Sequence, residues 1–163
     1  LKSMKYGIFS GGKRFRSAIV VNTGKIFNIN YKKLIIIGAA IECIHSYSLI
    51  HDDLPAMDND DLRRGKPTNH VLYGDDVAIL AGDALLSTSF EHVARETKNV
   101  DPTKVLDVIR RLGTSVGAWG LAGGQVSISL LLHFPAMKRH FIFFSINFSR
   151  SWTLLARIKM ELH

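Results

Sequence analysis

The stretch Leu34 to Ile50 is apolar enough to form a central, largely buried helix. Five aspartates then fall within the ten residues from Asp52 to Asp61, and Arg63 and Arg64 follow almost at once. A chain built this way must cover the apolar helix with other elements and keep the acids at its mouth. Five like charges so close repel one another, by up to about 1 kcal/mol per exposed pair in water and by more where solvent is excluded. Either bulk water or a divalent cation has to offset that. A solvated acidic loop is the ordinary reading of a charge run. The apolar run before it and the paired arginines after it favour a site.

Asp52 and Asp53 stand at the C-terminal end of the expected helix, where the macrodipole disfavours negative charge. Positive charge is therefore needed nearby. Asp52 and Asp58 are six residues apart with Pro55 between them, and a proline would loosen the helix so that the two carboxylates can converge. Carboxylate ligands without His or Cys clusters point to a hard cation, Mg2+ before Ca2+. An EF-hand is excluded: counted from Asp58, position six is Arg63 and position twelve is Asn69. Zinc lacks suitable ligands.

Upstream, Ser10-Gly11-Gly12-Lys13-Arg14-Phe15-Arg16 joins two glycines to three cations. Such a segment suits a phosphate, which backbone N–H groups can approach while Lys and Arg supply charge. The Walker spacing is absent, and a plain basic loop is the equal alternative. Ser17 to Phe27 reads as a short buried helix, and Asn30 as the N-cap of the apolar one. Inside the latter sit Glu42, His45, Tyr47 and Ser48. His45 lies seven residues before Asp52, two turns down the same face, although a hydrogen-bonded core histidine is its commonplace reading.

Further on, Gly65-Lys66-Pro67-Thr68 reads as a turn, and Asp75 caps a helix from Asp76 to about Lys98 in which Asp83 is structural. Asp101-Pro102 opens another through Leu112, ended by Gly113. No period-2 strand stands out in residues 1–126, so the expected class is all-α. Gly117 to Gln125 is rich in small residues and would let two helices pack closely.

With 47% hydrophobic and 21% charged residues the chain is globular, and 163 residues suffice for one core. The net charge of +7 is uneven: 16 Lys/Arg face 13 Asp/Glu in residues 1–126, but five face one in residues 127–163. No basic stripe interleaved with aromatics appears, which argues against nucleic acid. A single cysteine, Cys43, excludes an internal disulfide and fits a reducing compartment. Without a signal-peptide pattern, a cytoplasmic protein is expected. Gly113 to Met137 carries no Asp, Glu, Lys or Arg, but its five glycines, three serines, Gln125, His133 and Pro135 argue against a membrane span. Position 1 is not Met, so we expect the N-terminus to lack sequence.

Together these motifs resemble the trans-prenyltransferases, the isoprenyl diphosphate synthases, and most closely the bacterial farnesyl diphosphate synthases. The resemblance rests on Gly11 to Arg16, Glu42 to Asp58, Leu62 to Gly65, Leu80 to Leu85 and Gly123-Gly124-Gln125. It implies an all-α, isoprenoid-synthase-type helical bundle around a central cavity, usually homodimeric. It also implies condensation of isopentenyl diphosphate with an allylic diphosphate (dimethylallyl or geranyl) by Mg2+-assisted ionisation, condensation and elimination. Carried over by residue, Asp52 and Asp58 would hold Mg2+ and Asp53 would orient the site. Arg63 would bind the allylic diphosphate, and Lys13, Arg16, His45 and Arg64 isopentenyl diphosphate. Tyr47 and Ser48, five and four residues before Asp52, would form the floor that sets chain length. The aromatic there and the Pro55-Ala56 insertion imply a farnesyl product.

The likeness has limits. Ser17 stands where a proline is common. The family's second aspartate-rich motif and its Lys-Thr pair have no counterpart in residues 127–163, which hold no aspartate and five of the nine phenylalanines. The expectation is residues 1–126 as the N-terminal part of a synthase domain and 127–163 as a foreign tail from a frameshifted or mis-spliced end, leaving the bundle incomplete. Such a chain should be weakly active or inactive. It could instead be a non-catalytic remnant that binds diphosphate or pairs with an intact subunit. A metal phosphohydrolase built on His51-Asp52 lacks further histidines at ligand spacing.

Overall fold

The computed structural model describes residues 1–133. Helices α1 (Lys2–Phe9), α2 (Phe15–Ile26) and α3 (Tyr31–Asp52) are followed by a small hairpin, β1 (Leu62–Arg63) and β2 (Lys66–Pro67). Helices α4 (Asn69–Tyr73), α5 (Asp75–Glu96), α6 (Pro102–Val116) and α7 (Leu121–His133) complete the order. The chain divides into two compact units, Leu1–Thr97 and the part from Lys98 onward. The boundary expected at residue 126 separates family-like from unlike sequence and is a different division. The tail reading falls mostly on residues 134–163, outside the described residues.

The first unit is built around α3. Asn30 starts it, its side chain accepting from the Lys32 N–H at 2.9 Å. Leu34, Ile37, Ala40, Ile44 and Ile50 are buried along it, each large one contributing about 1.5–3 kcal/mol. Helices α1, α2 and α5 pack on α3. Among the described residues α3 alone is long and apolar enough to cross a bilayer, but here it is the helix the others cover. Ile50 and Leu54 meet Ala78 and Leu85 of α5, with Met4, Ile8, Cys43 and Tyr47 packed around them.

Several local expectations need correcting. The supposed turn 65–68 is a two-stranded hairpin whose turn residues are Arg64 and Gly65, with φ of 55° and 74°. Two positive φ values match a type I′ turn, and strands of two residues are too short to show alternation. Asp75 is the first residue of α5, not its cap; Gly74 precedes it at φ 89°, and Asp75 and Asp76 complement the helix dipole instead. Asp101 does cap α6, accepting from the Thr103 N–H at 2.9 Å. Gly113 does not end that helix, which continues to Val116 because Val108 and Leu112 are buried on its inner face. In α2 only Val20 and Gly24 are buried, so it is a surface helix. Helices α1 and α4 were not anticipated. They are tied by Ser3 Oγ donating to Asn69 Oδ1 at 2.5 Å and Asn69 Nδ2 donating to the Ser3 carbonyl at 3.1 Å.

Candidate active site

At the end of α3 the backbone turns back on itself. Pro55 has no N–H with which to continue the helix, and the Asp58 N–H donates to the Asp52 carbonyl at 2.9 Å. The Asp60 N–H reaches the Asp53 carbonyl at 3.2 Å, and Thr68 Oγ1 donates to the Asp60 carbonyl at 2.8 Å. These bonds fix the acidic loop and bring Asp58 beside Asp52. Burial pushes the Asp52 carboxyl above its usual range, and the charge of Asp58 adds to it against the opposing pull of Arg63. Among the described residues neither aspartate takes part in a salt bridge.

Asp53 has a different fate. Its side chain is 5% exposed and receives Arg63 Nε at 2.7 Å and Nη2 at 2.6 Å. That bond raises the Arg63 guanidinium further above neutrality, against the effect of its partial burial. Arg63 also stands 3.9 Å from Asp60. The arginine expected to meet an allylic diphosphate is thus anchored to the loop, with 31% of its side chain open to solvent.

A second centre lies toward the N-terminus. A cavity of about 640 Å³ is lined by Lys13, Arg14, Arg16, Glu42, His45 and Arg64, among others. It gathers four of the five residues expected to bind diphosphate, Lys13, Arg16, His45 and Arg64; Arg63 is the exception. Arg64 donates from Nη1 to the Gly11 carbonyl at 2.5 Å. Its guanidinium lies over Gly12, where a Cβ would come 2.8 Å from Nη1 and where φ is 121°. Only glycine suits that position. His45 is driven down to about 4 by burial and by the charges of Arg16, Arg64 and Arg63, with Glu42 opposing. It is therefore neutral near pH 7. Arg63 thus acts electrostatically on both His45 and Asp52, linking the basic cavity to the acidic pair.

Sequence reasoning left Glu42 and Arg14 without individual roles. Glu42, His45, Ser46 and Leu49 line the cavity at helical spacing i, i+3, i+4 and i+7, and that periodicity was the available signal. Glu42 is 8% exposed. It accepts the Ser17 N–H at 3.1 Å and Arg14 Nη1 at 3.4 Å. A proline at position 17 would have no N–H to give, so the serine noted as a departure has a structural consequence.

Of the residues expected to set chain length, Tyr47 packs on the core cluster, and burial followed by the nearby Asp52 charge raises its phenol. Ser48 Oγ donates to the His45 carbonyl at 2.9 Å. Next to them, the His51 ring meets Tyr47 edge-on at 5.7 Å and places Nε2 3.0 Å from the Ile79 carbonyl.

For a divalent cation the fit is partial but consistent. Among the described residues no three His, Cys, Asp or Glu side chains cluster as a ready-made site. Asp52 and Asp58 offer hard oxygen ligands with excess negative charge between them. Mg2+ ordinarily uses one or two carboxylates, completing its shell with water and substrate phosphates.

Residues 1–125 match the family described as Polyprenyl synthetase, and the chain belongs to that family. It is 50% identical over 126 residues to the farnesyl diphosphate synthase of Buchnera aphidicola, covering 77% of this chain and 45% of that protein. It is 47% identical over 127 residues to the heterodimeric geranylgeranyl pyrophosphate synthase large subunit 1 of Arabidopsis thaliana, covering 77% and 34%. A solved geranyltransferase from Legionella pneumophila superposes with a TM-score of 0.88 at 33% identity, covering 99% of this chain and 58% of that one. The chain therefore spans roughly a third to a half of the curated relatives' length. The expected all-α, isoprenoid-synthase-type fold is borne out.

Proposed function

We propose that this chain carries the diphosphate-gripping half of a prenyl chain-elongating site, condensing isopentenyl diphosphate with an allylic diphosphate. The observation that carries the reading is one cavity lined by Lys13, Arg16, His45 and Arg64, with His45 on the helix that ends at Asp52 and with Asp52 and Asp58 forming an acidic pair that makes no salt bridge among the described residues. In this reading the basic cavity takes isopentenyl diphosphate. Lys13, Arg16 and Arg64 bind its phosphates, and neutral His45 donates a hydrogen bond without competing for charge. Asp52 and Asp58 would hold Mg2+, which supplies the positive charge that makes diphosphate a competent leaving group. Asp53 holds Arg63 so that its open edge faces the allylic diphosphate. Tyr47 closes the floor, which supports a farnesyl product, although the relatives' names include both farnesyl and geranylgeranyl synthases.

Because residues 127–163 hold no aspartate, these 163 residues provide one acidic wall only. Loss of such electrostatic stabilisation is worth several kcal/mol of barrier, so we expect the chain by itself to turn over slowly, in the cytoplasm. Pairing with another subunit is the second reading, favoured by the heterodimeric relative. A radiolabelled condensation assay with Mg2+, run on the chain alone, separates them. Slow Mg2+-dependent elongation supports the first reading, and diphosphate binding without elongation supports the second. Ordinary turnover would contradict the expectation of a one-walled site.

A further inference from the structure

A buried carboxylate lining a cavity that gathers cations for an anion is unfavourable on electrostatic grounds alone, and Glu42 is such a group. Its surroundings explain what it does instead. The first turn of α2 has no side-chain cap of its own: Arg14 occupies the cap position in the left-handed region, at φ 48°. Non-glycine residues persist there only when their neighbours fix them. Three bonds do so. Ser17 Oγ donates to the Arg14 carbonyl at 2.9 Å. Arg14 Nη2 donates to the Ile8 carbonyl, and Nη1 to Glu42. The other Glu42 oxygen accepts the Ser17 N–H at 3.1 Å, taking the part of the missing cap from a neighbouring helix.

We propose that Glu42 is the positioning residue of the basic cavity: bonded at once to the Ser17 amide and the Arg14 guanidinium, it fixes the start of α2 so that Lys13 and Arg16, on either side of Arg14, present their charges to a diphosphate. The inference rests on the functional reading above and adds a residue that touches no substrate. It also inverts a simple expectation. If Glu42 were only an opposing charge, its removal would tighten anion binding; if it positions cations, its removal weakens binding.

The test uses the full 163-residue chain with inorganic pyrophosphate as the probe, titrated calorimetrically. Glu42→Ala, which loses both bonds, should bind about tenfold or more weakly, the order expected when a charge-assisted hydrogen bond is lost. Glu42→Gln keeps an acceptor for the Ser17 N–H and should recover to within about threefold of the parent. Circular dichroism checks the fold of each. Should the alanine variant not fold, the glutamine variant decides alone, because tighter binding than the parent overturns the proposal and near-parent binding supports it. A parent that binds no pyrophosphate overturns the functional reading and this inference with it. A parent that binds, alongside variants that bind more tightly, overturns the inference only.

Discussion

Acidification from pH 6.5 to 4 should destabilise this chain more than a His45→Gln variant, because the folded state resists the proton that the unfolded state accepts. In the unfolded chain the imidazole titrates at its ordinary 6.5; folded, burial and the charges of Arg16, Arg64 and Arg63 lower it to about 4. Between those values the unfolded chain binds more protons, so stability rises with pH across the window and is constant above it. The gap between the two values corresponds to roughly 3 kcal/mol. The ring is only half-buried, and solvent access reduces the expected loss to about 1–2 kcal/mol at pH 4. Denaturant unfolding of parent and variant at matched pH values from 4 to 8 gives the difference directly, with the other titrating groups cancelling. Bound pyrophosphate should narrow the window from its lower edge and reduce the loss, since negative charge in the cavity favours the imidazolium and raises the folded value toward the unchanged unfolded one. A pH-independent difference, or a parent that gains stability over the variant on acidification, would refute the reasoning.

Other perturbations have equally definite outcomes. Arg63→Ala leaves the Asp53 carboxylate buried without its partner; breaking a buried pair costs 3–5 kcal/mol, and the partly open arginine brings this to about 2–3 kcal/mol, read as a lower denaturant midpoint. An unchanged midpoint would mean that the pair does not hold the loop. Gly82→Ala places a Cβ 2.1 Å from His51 Nε2, so the ring must leave the Ile79 carbonyl, at a cost of about 1–3 kcal/mol in thermal unfolding. Survival of the His51 contact in a structure of that variant would show that α5 yields instead. Tyr47→Ala should lengthen the products of the condensation assay, and an unaltered product spectrum would remove Tyr47 from the floor.

Much of this arrangement was legible because strong local signals agreed with the tertiary result. The apolar run 34–50, the Asn30 cap and the Asp101-Pro102 start all appear as helix features. The convergence of Asp52 and Asp58 followed from the proline between them. What stayed hidden depended on long-range contacts. Glu42 looked like a lone acid in an apolar helix until α2 packed beside it, and Asp53 gave no sign of its ion pair with Arg63. The hairpin at 62–67 is too short for periodicity to register. Gly113 reads as a helix stop on propensity, yet burial of Leu112 and Val108 overrides a local cost of about 1 kcal/mol. Helices α1 and α4 are short, and their mutual hydrogen bonds join residues 66 apart in sequence.

The central claim is that Asp52 and Asp58 share a divalent cation with a diphosphate. The most direct measurement is calorimetric binding of pyrophosphate to the chain with and without Mg2+, repeated on the Asp52→Asn, Asp58→Asn double variant. The account predicts that Mg2+ strengthens binding at least tenfold in the parent and has little effect in the double variant, while the weaker metal-free binding to the basic cavity persists in both. Equal strengthening by Mg2+ in both proteins would contradict it.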